Sequence, residues 1–204
     1  MVVFRPLFFQ NKDMNSLSRL VLSFAAVIAL RAPGFAADAH AAPAAEPIMI
    51  VNFTEAVPAV YGYTSWQNNF AVAPKAGFRV LGAKGAQGDG GFCQNLDPVR
   101  DLSKCACIEI ALAVQEGNEV PEYTIVFGDA DGTKCWARVR VAQLMPGQPV
   151  WLRLKVADFT ISSGQEAGAD GKMDWTKVAQ WHLQGDWNTK KPAQVLFIAL
   201  RARS

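Results

Sequence analysis

Residues 107–114 alternate without interruption: Ile108, Ile110, Leu112 and Val114 fall on one side of an extended chain, Cys107, Glu109, Ala111 and Ala113 on the other. A two-residue repeat is the signature of a strand with distinct faces, and it constrains this chain more than any other feature. The pattern recurs at Val150–Val156, where Leu152 and Leu154 oppose Trp151, Arg153 and Lys155. Short apolar or alternating runs also occur at Ile48–Phe53, Gly77–Leu81, Gly91–Gln94, Tyr123–Gly128, Lys134–Val141 and Val195–Ala202, separated by Gly, Pro, Asp and Asn. Trp175–Trp181 reads as a further strand after the Gly/Asp-rich loop Ser162–Gly171. Asp129-Ala130-Asp131-Gly132 joins two runs as a hairpin, its Asp-Gly pair supplying the positive φ that a tight turn requires. No long run after Ile48 has helical periodicity. These features predict an all-β chain folded as a two-sheet antiparallel β-sandwich.

The first residues read as an address. Arg19 precedes the apolar run Leu20–Leu30, and Arg31, Pro33 and a string of alanines follow. A positive region, a short apolar region and small residues spaced as in Ala37-Asp38-Ala39 predict a cleaved secretory signal over residues 1–37, with Met14 as an alternative start. Leu20–Leu30 is shorter than the ~20 apolar residues a membrane span needs. Residues 38–47 read as a flexible Ala/Pro leader, and residues 48–204 as one domain. The expected location is secreted or periplasmic, with no stable membrane span once the signal is cleaved.

Charge and cysteine content narrow the function classes. The whole chain carries 20 Lys+Arg against 18 Asp+Glu. Residues 1–37 hold four basic groups and one acidic group, leaving residues 38–204 at a formal charge of −1. Nucleic-acid binding therefore has no support from charge. An even count of four cysteines (Cys93, Cys105, Cys107 and Cys135) in an exported chain predicts disulfides. A bridge between Cys105 and Cys107 would be strained, so Cys93 is expected to join one of them and Cys135 the other.

The order of a Gly-Gly strand, "DLSKCACIEIAL", "YTIVFGDADGTKCWARVRV", "PVWLRLKVADF", "DWTKVAQWHLQGDW" and the closing "VLFIALRA" resembles the galactose-binding-like jelly roll. That is the fold of non-catalytic carbohydrate-binding modules of bacterial glycosidases. Complex-I intermediate-associated assembly factors are similar. The resemblance spans Ile48–Arg203 and implies a binding domain, with a protein-interaction or assembly module as the alternative. Jelly-roll modules often carry a structural calcium; only Asn52 and Glu55 offer ligands for one near the first strand, and no cofactor is expected.

If aliphatic faces are core, Lys134, Trp136, Arg138 and Arg140 face outward, as do Trp151, Arg153 and Lys155, and Glu109. Were these strands in one sheet, Trp136, Trp151, Arg138, Arg153 and Glu109 would form one platform. Indole rings stack on sugar C–H faces, and guanidinium and carboxylate groups bond hydroxyl or acidic groups. The expected partner is thus a glycan or cell-surface polysaccharide. Trp66, with Tyr61 and Tyr63, is a second aromatic cluster that either walls a cleft or caps the core. Asp129-x-Asp131-Gly132 opens like a calcium loop but lacks the glutamate at its twelfth position, so no metal site is expected. The catalytic inventory is thin. Gln180-Trp181-His182 resembles the Q-x-H strand of jelly-roll polysaccharide lyases, but the Tyr-x-Lys-x-Gly-x-Tyr pattern of those enzymes is missing.

Overall fold

The structure, a computed structural model, describes residues 45–55, 59–73, 75–81 and 86–204. The signal expected over residues 1–37 and most of the leader lie outside the described residues. Twelve strands follow in chain order: β1 (Ile48–Asn52), β2 (Tyr61–Tyr63), β3 (Phe70–Ala73), β4 (Gly77–Val80), β5 (Gly91–Arg100), β6 (Cys107–Val114), β7 (Glu122–Asp129), β8 (Lys134–Arg140), β9 (Val150–Lys155), β10 (Thr160–Ile161), β11 (Val178–Gln184) and β12 (Val195–Arg203). They form two six-stranded sheets. The first runs β3-β4-β12-β6-β9, with β1 also paired to β12; the second runs β10-β8-β7-β11-β5-β2. Every pairing between these strands is antiparallel.

The alternation in sequence is the alternation in space. Ile108, Ile110, Leu112 and Val114 of β6 enter the core, as do Tyr123, Ile125 and Phe127 of β7 and Cys135, Ala137 and Val139 of β8. The β7–β8 hairpin turns at Asp129–Gly132, where Gly132 has φ +95°. A Cβ there would meet backbone strain that glycine avoids. The Asp129 carboxylate caps the turn from inside, accepting the N–H groups of Thr133 at 3.0 Å and Asp174 at 2.8 Å.

Between the sheets, aromatic rings surround Phe92, whose centroid lies 4.9 Å from Phe78, 5.2 Å from Phe197 and 5.6 Å from Trp181. Burying each such ring contributes about 1.5–3 kcal/mol, and tilted or edge-on pairs add to that. Three short strands were not expected from sequence: β2, β3 and β10. β2 and β10 have three and two residues, too few for an alternation to register, and the four residues of β3 are all apolar, so no polar face marks them. The strand expected at Trp175–Trp181 lies instead at Val178–Gln184, with Val178 buried. Trp175 precedes it and packs on Phe127 and Phe159.

The expected disulfides do not form: Cys93, Cys105, Cys107 and Cys135 are all buried free thiols. Strand geometry separates Cys93 and Cys107 from each other and from the two core thiols. Cys135 faces the core from β8, whereas Cys93, in register with the outward His182, lies on the other side of the same sheet. Cys107 alternates with the core-facing Ile108 and lies on the outside of the first sheet, while Cys105 belongs to the core. Cys93 and Cys107 thus occupy opposite exteriors of the sandwich, each covered by its neighbours. Small buried thiols serve here as apolar filling. Burial pushes the Cys135 thiol up to about 12 and also raises that of Cys93.

Candidate functional site

Residues on the outer face of the second sheet line up in rows, because antiparallel register places one residue of each strand opposite the next. One row reads Tyr61, Cys93, His182, Val126, Trp136 across β2, β5, β11, β7 and β8. The next reads Tyr63, Gly91, Gln184, Thr124, Arg138. Gly91 matters locally: a Cβ on it would collide with the Tyr63 phenol ring, so only glycine lets that ring lie across the strand.

The β11, β7 and β8 ends of these rows floor an open groove of about 410 Å³. Trp136, Arg138 and Glu122 line it on the β8 side, His182 and Gln184 lie along β11, and Trp187 stands in the loop after β11. Trp187 is 48% exposed. Its indole stacks nearly parallel on Tyr63, with centroids 6.1 Å apart and planes 13° apart, and its Nε1–H donates to Gln184 Oε1 at 2.9 Å. The loop therefore holds an indole at a fixed angle above the sheet. Trp136 is half-buried, and the Arg138 guanidinium lies 5.6 Å from its ring centroid.

The polar groups of the groove are paired and so pre-oriented. Arg138 bonds Glu122, its neighbour on β7, and Lys134 Nζ meets Glu166 Oε1 at 2.5 Å. His182 lies between two partners: its Nε2 is 2.9 Å from Gln180 Oε1, and its Nδ1 is 3.4 Å from the Tyr63 hydroxyl. A neutral ring with the proton on Nε2 satisfies both, donating to Gln180 and accepting from Tyr63. Burial, with Lys134 nearby, lowers the His182 pKa to about 4, so this neutral form persists at neutral pH.

The single platform expected from sequence is not present. Trp136 and Arg138 lie on β8 in the second sheet, whereas Trp151 and Arg153 lie on β9 and Glu109 on β6, both in the first. All five side chains point outward from the core as the alternation required, but from opposite sides of the sandwich. On the first sheet, Arg201, Glu109 and Arg153 fall in one row across β12, β6 and β9. Glu109 is 5% exposed and accepts from three guanidinium groups. Arg153 donates to Oε1 through Nε at 3.0 Å and a terminal nitrogen at 2.6 Å; the Nε groups of Arg201 and Arg203 donate to Oε2 at 2.7 and 2.9 Å. Burial alone would raise this carboxyl, but the bonds from Arg153 and Arg201 outweigh it and hold the pKa down to about 2. The Arg201 guanidinium sits 3.8 Å from the centroid of Trp151, which is 46% exposed.

Trp66 lines no cleft. Its side chain is 0% exposed in the 3-10 turn Thr64–Trp66, packs on Phe92 and Tyr123, and donates from Nε1 to the Gln87 carbonyl at 2.6 Å. The core-capping alternative is the observed one. Trp187, by contrast, escaped the sequence reading. Its only signal was an indole inside a Gly-Asp-Trp-Asn loop, where no strand needs one. The Asp129–Gly132 turn is a hairpin as expected, and no group of three or more potential metal ligands occurs among the described residues. No helix among the described residues is long and apolar enough to cross a membrane.

No family model matches the chain, and no curated protein matches it. Among solved structures, the chain is similar to the family 11 carbohydrate-binding module of the cellulosomal cellulase Lic26A-Cel5E of Clostridium thermocellum. The TM-score is 0.57 at 16% identity, over 79% of this chain and 96% of that one. It is similar also to the family 11 module from Clostridium thermocellum in complex with a β-1,3-1,4-mixed-linked tetrasaccharide, with TM-score 0.58 and 16% identity over 78% of this chain and 97% of that one. At this identity the likeness is one of fold. The two antiparallel sheets of this protein are a jelly-roll β-sandwich of the kind found in those modules, as the resemblance in sequence implied.

Proposed function

We propose that this protein is an exported, non-catalytic carbohydrate-binding domain whose glycan lies in the groove of the second sheet. One observation carries the reading: an exposed indole, Trp187, held by Tyr63 and Gln184 over a floor that includes the Trp136 ring and the Glu122-paired Arg138. An indole fixed before binding loses little conformational entropy when a sugar ring stacks on it. Side chains already oriented by Glu122–Arg138 and Gln180–His182 contacts offer donors and acceptors to hydroxyls at the same moment. The groove is open to solvent and not an enclosed cavity, which suits a surface-bound glycan more than a small engulfed metabolite. The similarity in fold to modules that bind sugar supports the class of ligand, and a mixed-linked β-1,3-1,4-glucan is the first neutral glycan to try.

Affinity gel electrophoresis over a panel of neutral glycans tests this. Retardation of the wild-type protein, lost in Trp187→Ala and Trp136→Ala variants with unchanged circular dichroism, is the expected result. Wild-type retardation in both variants would refute the groove.

A second reading has one specific observation behind it: the Gln180–His182–Tyr63 contacts resemble an acid–base set, as a polysaccharide lyase would need. Such an enzyme would release unsaturated, ultraviolet-absorbing products and lose that activity in a His182→Ala variant. An assembly role would instead appear as co-purifying protein partners with no retardation by any glycan.

A further inference from the structure

The two sheets differ in the charge their strands carry. The strands of the second sheet hold four basic residues and three acidic ones. Those of the first hold Arg79, Arg153, Lys155, Arg201 and Arg203, and Glu109 alone opposes them. Residues 38–204 together carry a formal charge of −1, so this positive field belongs to one face and not to the domain as a whole.

We infer that the outer face of the first sheet, at β12, β6 and β9, is a second binding site, one that takes the carboxylate or sulfate groups of an anionic polysaccharide. Glu109 pairs with three guanidinium groups, so its one negative charge leaves the cluster with a net positive charge. Among the described residues no other carboxylate pairs with Arg153, Arg201 or Arg203, and none pairs with Lys155. Arg203, Cys107 and Lys155 form the row next to Arg201, Glu109 and Arg153, so four cations, two on β12 and two on β9, flank β6 from either side. Such strands are ~4.8 Å apart, and alternate residues along one are ~7 Å apart. The surplus charge is thus concentrated within one small patch.

Glu109 also sets the orientation of this patch. Arg201 and Arg203 bind it through Nε, which leaves their paired terminal nitrogens for an oxyanion. Planar guanidinium groups anchored at one edge present the other edge bidentately, which is the geometry carboxylate and sulfate require. Trp151 identifies the kind of carrier. Arg201 covers one face of its indole, yet 46% of the side chain stays exposed beside the cations. An aromatic surface next to separated positive groups fits a sugar ring bearing an acidic substituent. A nucleic acid or an anionic membrane, with denser charge, calls for a more broadly basic domain than one of formal charge −1.

Full-length protein run in gels containing polygalacturonate, dextran sulfate or neutral dextran tests the assignment. Retardation by at least one anionic polymer, absent with neutral dextran and fading as salt rises, is expected. A Lys155→Gln/Arg203→Gln variant should bind at least about tenfold more weakly, since each charge-assisted bond lost costs about a factor of ten. Trp151→Ala, a change at an exposed side chain, should weaken binding without altering circular dichroism. Lys177→Gln, on an exposed loop before β11, should match wild type. Retardation lost in Trp187→Ala would place anion binding in the opposite groove and overturn this assignment while sparing the groove. Equal retardation by neutral dextran, wild-type behaviour of the Lys155→Gln/Arg203→Gln protein, or preference for duplex DNA or phosphatidylserine vesicles would each overturn it as well.

Discussion

Replacing Glu109 by glutamine removes one negative charge from the centre of three guanidinium groups while keeping the side chain's size. The folded carboxyl has a pKa of about 2 against an ordinary 4.5, a difference worth about 3 kcal/mol when fully expressed. Arg153, with 64% of its side chain exposed, donates from solvent, so screening trims this figure. Stranding three guanidinium groups around a neutral amide acts in the opposite sense. A loss of about 1–3 kcal/mol at pH 7 is therefore expected for Glu109→Gln. The sign with pH is fixed. A depressed carboxyl pKa means the stabilisation is complete above about pH 4.5 and is lost as the pH falls toward 2. Urea unfolding of wild type and variant at pH 7, 4 and 3 gives two curves whose separation should shrink by more than half over that range. Subtracting the variant removes every other titrating group from the comparison. A separation that stayed constant from pH 7 to pH 3, or that was absent at pH 7, would show that the three arginines do not stabilise the ionised carboxylate.

Truncation of Trp66 to alanine should cost about 3–5 kcal/mol, because it opens a cavity beneath the Gln87 carbonyl and strips Phe92 of a neighbour; thermal melting measures it. The imidazole signals of His182 should stay flat in NMR titration from pH 8 to about pH 5, and the domain should lose stability as the pH falls from 6.5 toward 4, where the unfolded chain takes a proton that the folded one refuses. That loss should be absent from His182→Gln. A thiol reagent should label none of the four cysteines rapidly in the folded protein and all four after unfolding without reductant; labelling of two or none would restore a disulfide.

Most of the strands were legible because their signal is local. In β6 and β9, each side chain's face follows from its parity alone, and Glu109, Trp151, Arg153, Trp136 and Arg138 all point where parity sends them. The cysteines were misjudged for the opposite reason. Their even number says nothing about which face each thiol takes, and spacing along the chain is blind to the sheet that sends Cys93 and Cys107 to opposite exteriors. Trp66 and Trp187 both occur in irregular segments, where no period assigns a face. One is sealed in the core and the other stands over the groove.

From the residues alone came the class of fold, the succession of most of the longer strands, the hairpin at Asp129–Gly132 and the inward or outward sense of each alternating side chain. All of these depend on neighbours within a few residues. Which strands share a sheet depends on hydrogen bonds between distant segments: β8 and β9 follow one another in the chain yet join different sheets. That single crossing divided one imagined platform into a charge-balanced groove with a fixed indole and, on the far side, a carboxylate ringed by arginines.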